Sequence, residues 1–119
     1  MLSRIVVGNI DAVGDERVLE APGTAIAGEL VNVTVTTFGN SCVGAAGAAV
    51  VVHGMEAIVT PYDQEQLAGG CLDFRNANPR QVAIVFDDAG EAKLLVRGRS
   101  DHRPGIVSLE HRISVSARP

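Results

Sequence analysis

Apolar and polar residues alternate along most of the chain, and a period of two is what a strand with one buried face leaves in a sequence. The clearest case is residues 31–36. Val31, Val33 and Val35 fall on one face, Asn32, Thr34 and Thr36 on the other. Val82, Ile84 and Phe86 repeat the pattern. Asp87, Asp88, Ala89 and Gly90 then read as a turn, and Ala92, Leu94 and Val96 face the same way, which predicts a hairpin. Val107, Leu109, Ile113 and Val115 form a last alternating strand whose parity His111 shares.

Towards the N-terminus, residues 4–10 and 17–21 predict short extended pieces broken at Gly8, Asn9, Gly14, Asp15, Pro22 and Gly23. Residues 48–53 read as a buried strand and 57–62 as another, with Pro61 marking a strand end or a sheet edge. Residues 38–47, which carry Cys42, read as a loop. From 63 to 79 the pattern is lost, in a connection holding Gly69, Gly70 and Cys71, and only 62–68 has room for a helical turn. Seven or eight short strands without intervening helices predict a single all-β domain over residues 1–119, an antiparallel sandwich, because parallel connections need long crossovers.

Composition narrows this further. At 119 residues with 46% apolar side chains, but one Tyr, three Phe and no Trp, the core must be built from Val, Ile, Leu and Ala. A net charge of −4, with its densest basic group (Arg97, Arg99, Arg103) interrupted by Asp101, argues against nucleic acid as a partner. No apolar run approaches the roughly 20 residues of a membrane span. Residues 1–7 are too short for an export signal, which leaves a cytosolic protein or one whose signal preceded Met1.

Cys42 and Cys71 favour the second reading. They read as a disulfide, with two free thiols or a metal site shared with His53 and Asp73 as the alternatives; paired Cys or His spacings of the zinc type are absent. A bridge closing about 30 residues stabilises by roughly 3 to 4 kcal/mol on the chain-entropy model, and it belongs to an oxidising compartment. An extracytoplasmic location follows: secreted, periplasmic or surface-anchored.

Two stretches resemble bacterial immunoglobulin-like domains. Residues 22–37, Pro-Gly-Thr-Ala-Ile-Ala-Gly-Glu-Leu-Val-Asn-Val-Thr-Val-Thr-Thr, are similar to the opening of such domains, and residues 86–98, with Ala-Gly-Glu-Ala leading into Lys-Leu-Leu-Val-Arg-Gly, to the corner before the penultimate strand. Thr36 to Cys42, Thr60 to Asp63 and Cys71 also look like stretches of small secreted or lipid-anchored bacterial proteins of unassigned function. The chain departs from antibody-type domains in lacking Trp and in placing Ala92 where a corner tyrosine often stands. What the resemblance implies is an immunoglobulin-like sandwich outside the cytoplasm, with no active-site residues carried over.

The remaining candidates have structural explanations. His53 ends a strand, His102 lies among charges, and His111 reads as a bulge or sheet-margin residue. Asp87, Asp88 and Glu91 sit in a turn without a calcium-type ligand loop, and Asp63 with Glu65, and Asp11 with Asp15 and Glu16, read the same way. Asn32-Val33-Thr34 matches the glycosylation tripeptide, and Tyr62 stands beside Pro61 with its ring packed and hydroxyl wet. With no nucleophile, base and orienter set visible, a non-enzymatic binding or surface-architecture module without cofactor or metal is expected, with a protein partner or self-association. The alternative is a self-assembling subunit whose residues 5–7 and 48–52 extend a neighbour's sheet by edge pairing; a small hydrolase ranks third.

Overall fold

The computed structural model describes residues 2–67 and 69–119. Among them lie nine strands and no helix: β1 (Ser3–Val7), β2 (Leu19–Glu20), β3 (Thr24–Ile26), β4 (Leu30–Gly39), β5 (Val43–His53), β6 (Glu56–Gln66), β7 (Asn76–Val85), β8 (Gly90–Arg99) and β9 (Ile106–Ser116). They form two sheets. The larger runs β1-β6-β8-β9-β3, with β5 on the other edge of β6; the smaller is β2-β4-β7.

The inward parity is the one the alternation predicts. Val31, Val33 and Val35 on β4, Ile84 on β7 and Phe86 just after it, and Ala92, Leu94 and Val96 on β8 are all buried in one core with Ala57, Val59, Ile113 and Val115. Leu109 is the exception on β9, 41% exposed near the sheet margin.

Two pairings are parallel, which corrects the antiparallel expectation. β6 runs parallel to β8 (Glu56 opposite Lys93 through Val59 opposite Val96), and β3 parallel to β9. The crossover that a parallel pair requires is supplied by a strand of the opposite layer: β7 lies on β4 between β6 and β8 in sequence. For the same reason β7 and β8 are not a hairpin. Their apolar faces meet across the core, and residues 86–89 carry the chain from one sheet to the other.

The irregular regions are also more extended than the sequence suggests. Residues 43–47 belong to β5, and 62–66 continue β6 rather than turning into a helix; Ala68, the end of that expected turn, lies outside the described residues. Asn76 to Pro79 open β7. Pro61 sits inside a central strand, fully buried, where one neighbour of β6 gives way to another: β8 pairs with residues 56–59 and β1 with 62–66. The missing N–H falls at that handover, while the Pro61 carbonyl accepts the Gly8 amide at 2.9 Å.

The segment after β1 stitches the layers together. Asn9 bridges Phe38 of the small sheet and Arg99 of the large one, and Arg99 also donates its Nε to the Val7 carbonyl. This crossing demands glycine at two places. A Cβ on Gly8 would lie 2.3 Å from the Thr37 methyl, and one on Gly98 would lie 2.5 Å from Ile10 Cγ2.

Candidate functional site

Three places concentrate chemistry. The first is the end of the molecule where the 9–17, 72–75 and 99–103 loops converge. Asp11 accepts the Ser100 hydroxyl and the Asp101 amide, both at 2.7 Å; Glu16 accepts the Val13 amide at 2.8 Å and the Arg75 guanidinium at 2.8 and 2.9 Å. Arg75 reaches the Asp11 carbonyl as well, and its guanidinium lies 4.5 Å from the centre of the Phe38 ring. The Asp101 amide lowers the pKa of Asp11, and Arg75 lowers that of Glu16. In return Glu16 raises that of Arg75.

Beside this clamp a cleft of about 490 Å³ opens between β2 and β9, floored by Ile10, Val18, Leu19, Val107 and Leu109. Ser100 and Asp11 line it too, with the His102 amide donating to Ser100 Oγ at 3.1 Å. The serine proton is directed at a carboxylate whose pKa is already lowered, a weak base for activating a nucleophile. What the contacts do structurally is fasten the 9–17 loop to the 99–103 loop and to Arg75, as a clamp.

The second place lies deep between the sheets. Asp63 of β6 is fully buried and accepts the Thr37 hydroxyl at 2.7 Å and the Arg80 guanidinium at 2.9 Å. Arg80 further donates to Thr37 and to the carbonyls of Tyr62, Asn78 and Gly47. Asp63 Oδ2 and Arg80 Nε have no hydrogen-bond partner among the described residues. The ion pair joins β6 of the large sheet to β7 of the small one and belongs to the framework.

Asp63 thus overturns the reading of Asp63 and Glu65 as turn residues. Glu65 shares the inward parity of Ala57, Val59, Pro61 and Asp63 but lies at the end of β6, where it sits opposite Arg4 and pairs with it at 3.1 Å, whereas Asp63 is fully buried. Arg80 shares that of Val82, Ile84 and Phe86, and Thr37 that of Val31, Val33 and Val35. Parity marks all three side chains as inward, but it marks Glu65, Asn76 and Asn78 as inward too, so it does not by itself single out this trio.

The third place is β5. It pairs with β6 throughout and has no second ladder partner among the described residues. Residues 48–53 form a strand but not a buried one: Val50, Val51 and Val52 are 36%, 59% and 41% exposed. Val50 and Val52 sit opposite Val59 and Ala57 on the core-side face, where the three-stranded sheet is too narrow to cover them.

Cys42 and Cys71 are bonded, with Cα atoms 5.4 Å apart, and tie the β4–β5 turn to the β6–β7 connection. Ser41 and Leu72 exchange two further hydrogen bonds beside them. His53 ends β5, and His111 Nε2 lies 3.0 Å from the Pro22 carbonyl at the margin next to β3. His53, His102 and His111 are not brought together with one another. Asp87, Asp88 and Glu91 are exposed around the β7–β8 connection, Asn32 is exposed on β4, and Tyr62 is half-buried opposite Val7. Among the described residues no three His, Cys, Asp or Glu side chains converge as metal ligands do, and no helix is long and apolar enough to cross a membrane.

No family model matches the chain, and no curated protein or solved structure is significantly similar to it.

Proposed function

We propose that the chain is a non-enzymatic, immunoglobulin-like module that works outside the cytoplasm in protein binding or surface architecture. The observation that carries this reading is the Cys42–Cys71 bridge, which fastens the long β6–β7 connection to the β4–β5 turn of an all-β framework. Such staples persist where thiols are oxidised. The two sheets, locked by Asp63 and Arg80, supply a rigid body, and the uncovered β5 supplies a surface on which backbone groups remain available to a partner.

Thiol state tests the compartment. Alkylation of intact cells before lysis should leave both cysteines unmodified, and reductant should add two protons to the intact mass; two alkylated thiols in unreduced protein would refute the extracytoplasmic reading. The exposed valines of β5 favour the second reading, in which the module assembles with copies of itself.

A further inference from the structure

Every sheet edge presents unpaired backbone groups, and natural proteins blunt them with shortness, charge, proline or a bulge. In this chain most edges are blunted. β2 has two residues and β3 three; β1 carries Arg4, with the Val7 carbonyl already taken by Arg99; β7 carries Pro79 and Arg80. β5 is different. It is eleven residues long, and from Val43 to Val52 it has neither a charge nor a proline.

Protection on β5 stops halfway. Its register shifts between Ala45 and Ala48 around Gly47, whose φ is 87° and whose carbonyl accepts Arg80, so the first half is bulged and capped. Beyond it, residues 48–53 run in unbroken register with β6 to a two-residue turn at Gly54 and Met55. Gly54 has a φ of 62° with no positive φ at Met55, as a type II′ turn requires. In such a hairpin the closing pair, His53 and Glu56, is hydrogen-bonded, and bonding alternates from there. Val51 and Ala49 therefore direct their amides at β6, and Ala48, Val50 and Val52 direct theirs away from it.

We propose that this half of β5 is a self-association interface, on which a second copy of the chain adds its own β5 in antiparallel register across a two-fold axis at Val50. The inference deepens the second reading above. In that register Val50 meets its counterpart, Ala48 meets Val52 and Ala49 meets Val51, so every cross-strand pair is apolar. The chain carries a net charge of −4, and like-charged copies approach most easily along an uncharged strand. A single strand edge buries less than the roughly 800 Å² per partner of a standard interface, so association is weak and concentration-dependent.

Analytical ultracentrifugation from about 10 µM to about 1 mM, the range set by such a small contact, should show a monomer–dimer equilibrium. Val50→Pro removes an N–H that faces away from β6, so it keeps the hairpin ladder and raises the dissociation constant by about ten-fold or more, the effect of one or two lost backbone hydrogen bonds. Should that variant lose its β-sheet circular dichroism, Val51→Lys, at an exposed position, gives the same test. Mild oxidation of Val50→Cys should cross-link two chains, and Val52→Cys should not, because only the axial residue meets itself. A wild-type monomer at all concentrations, association unchanged by both β5 variants, cross-linking at 52 instead of 50, or assembly beyond the dimer would overturn the proposal. None of these outcomes bears on the thiol-state test, so the extracytoplasmic reading stands or falls separately.

Discussion

Asp63 shows how one side chain sets a charge into a core built from aliphatic side chains and two phenylalanines, Phe38 and Phe86. Its carboxylate, fully buried, holds Thr37 and Arg80 from the opposite sheet. Removing one member of such a pair leaves a buried charge uncompensated. Asp63→Ala should therefore lower the unfolding free energy by about 3–5 kcal/mol in urea titrations, while Asp63→Leu combined with Arg80→Met should recover most of that loss. Gly8 is constrained by space: its Cβ would penetrate the Thr37 methyl at 2.3 Å, so Gly8→Ala should cost about 1–3 kcal/mol by the same measurement. Parity puts Asp63, Thr37 and Arg80 on inward faces but does the same for Glu65, and Asp beside Glu65 reads as turn chemistry because a carboxylate without a visible counter-ion belongs in water. Nothing local to residue 63 announces Arg80, which arrives from 17 residues away on the other layer.

At the scale of elements, the alternation located β4, β8 and β9 and the end of β7, since each buries one face and exposes the other. β5 was misjudged because a continuous apolar run reads as buried whether or not a second layer covers it, and Pro61 was misjudged because the handover from β8 to β1 lies in other strands altogether. The bridge between Cys42 and Cys71 acts on the two connections the pattern leaves open. Reducing it should lower stability by about 3–4 kcal/mol, read as a shift of the urea midpoint with and without reductant. The loop clamp responds to pH. Asp11 and Glu16 titrate below their ordinary values of 3.8 and 4.5 when folded, so acid protonates the unfolded chain first. Their stabilisation is complete at neutral pH, begins to fall as the pH drops through those ordinary values, and is gone below the folded ones. Urea midpoints measured between pH 7 and 3 should follow that course, and Arg75→Gln should make the decline shallower by removing the main cause of the Glu16 shift.

The whole molecule is longer than its chain length requires. Its radius of gyration is 15.6 Å and its extents are 55 × 29 × 22 Å, against about 13.5 Å for a compact chain of this size. The two layers also differ in width: Ala57 and Val59 of β6 are covered by the three-stranded sheet, while Val52 and Val50 beside them on β5 lie bare. Sequence alone predicted two layers and one core; the unequal width of the layers, the parallel neighbours and the free edge follow from which strand lies beside which, and no single strand encodes that. Small-angle scattering of the dilute protein should return the elongated particle, and a compact value near 13.5 Å would contradict it.

The stitch at Asn9 has a consequence for biogenesis. Asn9 pairs with Phe38 and with Arg99, so the second of these pairings waits until a segment 90 residues further along has been made. Contacts of such long sequence separation form slowly, so the seam between the two layers is among the last parts of the molecule to close.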